Sequence, residues 1–593
     1  MRRLSLLLAL TAILVWPGPI KMSRVIASRA TRREPALQES KQDGPFRFED
    51  ITEKSGLGGF FHVSGDLHTK KYIIEVMSGG VVIFDYDNDG LPDIYLVNGT
   101  TLDVLRGKAK PEADMKSRLY HNLGNGKFED VTDKAGVANL GNWGMGASAA
   151  DYDNDGYIDL FVTNAFGRDV LYHNNGNGTF TDVTRKAGVG GDPHHWSTGC
   201  AWADYDNDGY PDLFVAGYLD LDLNNLPDPG SNQYCRFRGL PVNCGPRGLK
   251  GQGDYLYHNN GDGTFTEVSA KAGVEDKPGY YGLGCIWSDL NDDGLPDLYV
   301  ANDSTPHYLY QNMGNGTFKE IGYESGTAVN EDGREQAGMG VDVADYDGDG
   351  EFDLFVTNFV DDSSTLYHND GEMRFTDATR HAELAEPGWQ FMKWGTGFAD
   401  FDNNGVPDLF VADGHIYPEV DGKGFGQTYR ERCQLYQNLG NGQFKEVRLG
   451  ILDSLARVSR GVAFGDLDGD GRIDLVINNL DDKPTVLLNH SDSGNWIGLK
   501  LVGHASNRDA IGARVTVTAG GRKQVGEVRA GGSYLSQSDL RLHFGIASAK
   551  QVDSIDIRWP SGIKQHISGG QINRVIKIDE PAGQNGDTHK RRW

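Results

Sequence analysis

Residues 85–93 read DYDNDGLPD, four carboxylates within nine residues, and near copies begin at Asp151 (DYDNDGYID) and Asp204 (DYDNDGYPD). Like charges held this close repel, so a fold that keeps them together needs a counter-charge. Aligning the chain on this nonapeptide gives seven copies, starting at Asp85, Asp151, Asp204, Asp289, Asp345, Asp400 and Asp466, spaced 66, 53, 85, 56, 55 and 66 residues apart. Self-similarity at such a period is the signature of a repeat architecture.

Every copy sits in one frame. A glycine stands five residues before the first Asp (Gly80, Gly146, Gly199, Gly284, Gly340, Gly395, Gly461), and an apolar run such as DIYLVN or DLFVTN follows the last. An LYHN-like segment, a GNG-like turn and an F-x-D-V-T-like segment complete the unit. Apolar stretches of four to eight residues bounded by Gly, Asn and Asp read as strands. Four short strands per unit, seven times over, predict an all-β fold: a seven-bladed β-propeller over residues 45–490. The last unit ends at VLLNH (Val486–His490) without its final segment, while Phe48–Thr52 (FEDIT) is that segment without the rest. Pairing the two would close the ring and remove the exposed edges of an open array.

The loop D-x-D-x-D-G-x-x-D can turn side-chain oxygens at positions 1, 3, 5 and 9, and the backbone carbonyl at 7, onto one cation, with Gly at 6 allowing the bend. The candidate ligands are Asp85, Asp87, Asp89, Leu91 and Asp93; Asp151, Asp153, Asp155, Tyr157 and Asp159; Asp204, Asp206, Asp208, Tyr210 and Asp212; and Asp289, Asn291, Asp293, Leu295 and Asp297. The later loops offer Asp345, Asp347, Asp349, Glu351 and Asp353; Asp400, Asp402, Asn404, Val406 and Asp408; and Asp466, Asp468, Asp470, Arg472 and Asp474. This many hard oxygen donors suits Ca²⁺, up to seven ions, better than Mg²⁺, which keeps its waters. No glutamate stands at position 12 and strands follow, which disfavours a helix-flanked EF hand. Asp fills 26 of the 28 side-chain positions; without those 26 the remaining acidic residues nearly balance the 57 Lys and Arg. The formal charge of −27 thus resides in the loops, and it argues against nucleic acid or anionic membrane as partner. Each loop supplies almost a full shell and repeats with the blade, so the ions read as structural clips rather than catalytic metals.

At the N-terminus Arg2-Arg3 precede thirteen mostly apolar residues, Leu4–Trp16, too short for a membrane span and suited to a secretion signal over 1–30, with an uncleaved anchor as the alternative. A flexible leader follows (31–44), and the polar tail 581–593 reads as disordered. Of five cysteines, Cys235 and Cys244 bracket a short loop and form the expected disulfide. Cys200 and Cys285 read as buried strand positions, and Cys433 has no evident mate.

The GNGTF segments (Gly176–Phe180, Gly314–Phe318) with the DxDxDGxxD loops resemble the FG-GAP/VCBS repeats of integrin α-subunit propellers and secreted bacterial proteins. That resemblance implies Ca²⁺ in the loops. Farther on, NWIGLKL from Asn495, SNRDAIGARVTV (Ser506–Val517), GGSYLSQSD (Gly531–Asp539) and VDSIDIRWPSG resemble the ASPIC/UnbV domain that follows FG-GAP repeats in the cartilage acidic protein family and its bacterial relatives, and DGHIYPEVDG (Asp413–Gly422), within the repeats, is similar to a segment typical of that family. Residues 491–580 alternate as a small β-sandwich or barrel. Ser533, Tyr534, Ser536 and Gln537 read as loop packing, with ligand binding as the alternative. The family implies a secreted calcium-binding matrix or surface protein and carries over no catalytic residues.

Upstream of the acidic loops, where the repeat lapses, the chain becomes chemically varied: Glu75, Trp143, His194, His195, Trp196, Tyr280, Tyr281, Gln336 and Arg457, with Lys393 and Arg460 nearer the loops. These should gather at the mouth of the central channel, on the face away from the loops, as a candidate ligand face for an extracellular glycan or protein; the alternative is that the aromatics plug the mouth. The leading expectation is a secreted, calcium-clipped binding or adhesion module, extracellular, periplasmic or on the cell surface, and not an enzyme. A glycan-active enzyme built on Glu75 with His194 or Lys393, and a pure assembly scaffold, are the alternatives.

Overall fold

A computed structural model describes residues 44–582; the segments read as signal peptide, almost all of the leader and most of the tail lie outside the described residues. Each repeat becomes one four-stranded antiparallel sheet. In blade 1 the strands Val81–Phe84, Asp93–Leu96, Arg118–Gly124 and Lys127–Asp130 pair in sequence order. The first two are buried throughout, because neighbouring blades cover both faces, which is why they read as continuous apolar runs. The innermost strands Val81–Phe84, Trp143–Ala150, Ser197–Ala203, Gly282–Ser288, Val341–Ala344, Lys393–Ala399 and Ser459–Gly465 touch in succession, and the last touches the first.

Closure is as the chain ends predict. Phe48, Glu49 and Asp50 lie opposite Asn489, Leu488 and Leu487, so the N-terminal strand completes the blade whose other strands are Ser459–Gly465, Asp474–Asn479 and Thr485–Asn489. The frame glycines are the points of closest approach around the channel. A Cβ on Gly199 would lie 2.2 Å from the Leu283 carbonyl of the next blade, and one on Gly340 2.2 Å from that of Trp394. The closing Asn of each LYxN-like segment staples two blades. Asn174 Nδ2 donates to Ile158 O in its own blade and to Tyr86 O in the preceding one, and Asn122 reaches back to Leu467 O across the closure. The same pair of bonds recurs at Asn259, Asn312, Asn369, Asn438 and Asn489.

After the last blade, Leu542–Ala547, Asn495–Val502 and Val575–Asp579 form one sheet, and Arg522–Glu527, Arg514–Ala519, Val552–Arg558 and Lys564–Gly570 another. Ile497, Leu499, Val515, Val517, Ile555 and Ile557 belong to their shared core, which continues onto Trp202 of the third blade. This domain sits on the acidic-loop face and sends residues 530–539 into the channel. Ala530, Ser533 and Gln537 form bridges with Trp202, Val341 and Val82 of three inner strands. Gly531 belongs there because a Cβ would meet that of Ala201 at 2.6 Å. Among the described residues no helix is long and apolar enough to cross a membrane.

Candidate metal centres and the closed channel

Within each acidic loop the backbone is folded on its own carboxylates. Asp85 Oδ2 accepts from Gly90 N–H, Asp89 Oδ1 from Leu91 N–H, and the buried Asp93 from Tyr86 N–H and Asn122 N–H. Gly90 at position 6 has φ +93°, an easy conformation for glycine. The folding draws ligand atoms together: one oxygen each of Asp85, Asp87 and Asp93 lies within 4.8 Å of the others. Asp87, Asp89 and His121 form a second such group, repeated as Asp153, Asp155 and His173, as Asp206, Asp208 and His258, and as Asp347, Asp349 and His368. The histidines of the LYHN segments therefore stand beside the candidate cation ligands, with His173 Nδ1 3.1 Å from Asp159 Oδ1.

Two observations show that these loops suit a cation. Asp85 Oδ1, Asp153 Oδ1 and Asp206 Oδ1 are buried and have no hydrogen-bond partner. Burial also pushes the Asp93 carboxyl up to about 9, and those of Asp159 and Asp212 to about 7, so the ionised forms lack compensation. A divalent ion would supply it. The residues present can hold metal ions at the loops.

The loops are also tied to one another. Asn at position 4 donates to the position-6 carbonyl of the next loop: Asn88 to Gly156, Asn154 to Gly209, Asn207 to Gly294 and Asn403 to Gly471, at 2.8–3.0 Å. Loops 4, 5 and 7 carry Asp292, Gly348 and Gly469 at this position, and for loops 4 and 7 arginines of the C-terminal domain take over. Arg514 Nη2 donates to Gly350 O at 2.6 Å and Arg541 Nη1 to Gly90 O at 3.1 Å. Position 4 attracts no notice as a ligand, and its role appears only when neighbouring loops are seen side by side. The same domain sets Lys500 Nζ 3.3 Å from Asp85, pairs Arg558 with Asp289 and Asp292, and lets Asp509 accept from Asp151 N–H.

The channel is not an open funnel, which corrects the expectation drawn for the ligand face. From one side it holds the 530–539 segment: Tyr534 packs edge-on against Trp394 at 4.8 Å and donates to Met77 O, and Gln537 bonds both backbone groups of Ala149. Trp143 and Trp196 are fully buried and share a core with Tyr534 and Leu535. From the other side the insertion holding the Cys235–Cys244 disulfide lies across the mouth. Its Phe237 packs on Phe359, His415 and Tyr417, Arg238 pairs with Asp361, and Asn243 reaches Lys70 O.

The polar members of the expected face are spent on structure. Glu75 accepts three backbone N–H bonds, from Asp66, Lys71 and Tyr72. Lys393 is buried with its ammonium among four carbonyls, those of Phe359, Asp362, Gly388 and Phe391, at 2.8–3.0 Å. Arg460 is buried over the Trp394 ring at 3.9 Å and donates to Val76, Gly414 and Ser459 carbonyls. His195 is held by Ser197 and Gly253, Gln336 by Asp362 and Thr365, and Arg457 by Asp482. Tyr281 donates to Leu249 O, Tyr280 is half-buried at the rim, and His194 is exposed. Glu75, His194 and Lys393 therefore do not form an accessible catalytic set. Cys200, Cys285 and Cys433 are free and buried.

Seven blades, each turned on an acidic loop and covered by a second β domain, define a capped propeller of the FG-GAP class. FG-GAP-like repeats match residues 85–162, 151–215, 289–356, 345–411 and 425–477, and the ASPIC and UnbV family matches 503–585. The chain belongs to the FG-GAP repeat proteins that end in an ASPIC/UnbV domain. Cartilage acidic protein 1 of Homo sapiens is 25% identical over 556 residues, spanning 85% of this chain and 72% of that protein, and its Xenopus tropicalis counterpart 24% over 539 residues, spanning 85% and 73%. Of solved structures, YCF48 bound to D1 peptide aligns with 75% of this chain and 96% of its own at 8% identity and a TM-score of 0.38, a level from which no function transfers.

Proposed function

We propose that this protein is a secreted binding or adhesion module for an extracellular protein or glycan, with Ca²⁺ in the acidic loops as structural clips. The observation that carries the reading is the closure of the disc: the acidic-loop face lies under the C-terminal domain and the channel is filled. What remains for a partner is the rim and the outer part of the opposite face. Ca²⁺ would bind Asp oxygens at loop positions 1, 3, 5 and 9 and the position-7 carbonyl, cancel their repulsion and fix each hairpin under the cap. The apolar run at Leu4–Trp16 and the Cys235–Cys244 disulfide support export to an oxidising compartment.

Non-enzymatic binding is favoured over glycan cleavage because Glu75 and Lys393, the groups an enzyme reading would employ, are saturated by backbone partners. The test is a glycan and extracellular-protein array probed with the full chain in Ca²⁺ and after chelation. Specific retention without turnover, lost on chelation, is the expected result. Product release abolished by Glu75→Gln would favour the enzyme, and silence on both arrays would favour a scaffold.

A further inference from the structure

Blade 4 departs from the repeat at three positions that meet in space. Its third strand carries Tyr308 where other blades have Arg118, Val170, Thr365, Gln434 and Thr485, with Tyr255 of blade 3 the one match. The one-turn helix Gly322–Ser325 carries Tyr323 where its counterparts have Glu53, Asp133, Arg185 and Ala270. Tyr280 stands in the segment leading into the inner strand, which follows no repeat. These three tyrosines, with the repeat tyrosine Tyr310, line one cavity of about 320 Å³ between blades 3 and 4, on the face away from the acidic loops and outside the disulfide-bearing insertion.

The chemistry of the cavity is one-sided. Tyr280 and Tyr308 stack at 5.2 Å and 10°, and Tyr308 donates its hydroxyl to Asp276 Oδ1 at 2.5 Å. Tyr310 lies opposite Glu320 in the sheet; Glu320 spends one oxygen on Gly322 N–H. Tyr323 is 65% exposed and packs into no core, an uncommon outlay of aromatic surface beside a pocket. Of the three carboxylates in the lining, Glu275 is 2.8 Å from Lys277, the one Lys or Arg there, and Asp276 is buried and accepts from both Tyr308 O–H and Tyr280 N–H, so Glu320 is the one with an oxygen left over. His307, also in the lining, is buried and held neutral, its Nδ1 accepting from Asn302 N–H. Tyrosine rings beside a carboxylate oxygen left without a partner, with the one lining cation already paired, attract a cation through the ring quadrupole and direct charge.

We infer that this tyrosine-lined cavity is a recognition site for the cationic side chain, lysine ammonium or arginine guanidinium, of a basic segment in a protein partner. The inference rests on the reading of the chain as a binding module and names one of its contact points. The test uses the full chain with Ca²⁺ and small probes: tetramethylammonium, N-acetyl-lysine methylamide and N-acetyl-arginine methylamide, against N-acetyl-norleucine methylamide and methyl glycosides, by ligand-observed NMR. The cationic probes should bind in the millimolar range and the neutral ones should not. Tyr323→Ala, at an exposed position, should leave the melting temperature unchanged and weaken the cationic probes about two- to five-fold; Glu320→Gln should weaken them similarly, and more at low salt. Saturation by methyl glycosides in place of cations, or cation binding indifferent to both substitutions, overturns the inference. If a partner found on the arrays still binds Tyr323→Ala and Glu320→Gln at full strength, this site falls and the binding-module reading stands.

Discussion

Replacing Gln537 by Leu tests whether the C-terminal domain is part of the propeller or an appendage resting on it. Gln537 is fully buried in the channel, its Oε1 2.8 Å from Ala149 N and its Nε2 3.0 Å from Ala149 O. Leucine has nearly the same volume and can form neither bond. The N–H and C=O of Ala149, buried on an inner strand, would lose those partners. An unmet buried backbone group costs about 1–3 kcal/mol, so the pair should cost on the order of 2–6 kcal/mol. With a urea slope of several kcal/mol per M for a chain of this size, the unfolding midpoint followed by tryptophan fluorescence in saturating Ca²⁺ should fall by on the order of 0.5–1 M. A loosely seated segment would let water satisfy Ala149 and reduce the effect to about 0.5 kcal/mol, the range of surface substitutions. A midpoint unchanged within error would refute the inserted plug.

Other consequences concern the ring and its buried charges. Asn312→Ala removes donors to Tyr205 O and Pro296 O and should lower the urea midpoint by an amount equivalent to about 2–4 kcal/mol; a loss below about 0.5 kcal/mol would contradict the inter-blade staple. Arg541→Gln withdraws the bond to Gly90 O and should speed protease cleavage between the propeller and the C-terminal domain, while an unchanged cleavage rate would show that this bridge is dispensable. Burial holds His62 and His415 at about 3, below the ordinary value near 6.5, so the unfolded chain binds protons first as pH falls. Their contribution is complete above about 6.5 and is lost toward 3, on the order of 1–2 kcal/mol each by pH 5. In saturating Ca²⁺, His62→Gln should flatten the stability profile between pH 7 and 5, and an unaltered slope would count against a neutral buried imidazole.

The features written in the chain and those hidden from it differ in kind. Blade number, strand order and the join between Phe48–Thr52 and Val486–His490 are legible because the repeat recurs within about 50–90 residues and its ends are complementary. The frame glycines are legible as a pattern, and the neighbouring carbonyls at about 2.2–2.9 Å from an added Cβ give the pattern its cause. The plug is not legible, since Gln537 and Ala149 are 388 positions apart and no periodicity links them. Glu75, Lys393 and Arg460 mislead for a related reason. Charged residues outside a repeat read as solvent-facing, yet turns and strand ends around a closed channel offer enough backbone partners to bury them. Of the tyrosines lining the blade 4 cavity only Tyr280 stands out in the sequence, and only the fold brings Tyr308, Tyr310 and Tyr323 to it.

The central claim is that the acidic loops hold Ca²⁺ as clips for the ring, and metal content measured together with thermal unfolding tests it most directly. The protein as isolated in Ca²⁺ should carry several and at most seven ions by elemental analysis. After chelation has removed them, the melting temperature should fall markedly, because each site held at about 100 times its Kd contributes ~2.7 kcal/mol. A melting curve that does not move once the ions are shown to be gone would contradict the account.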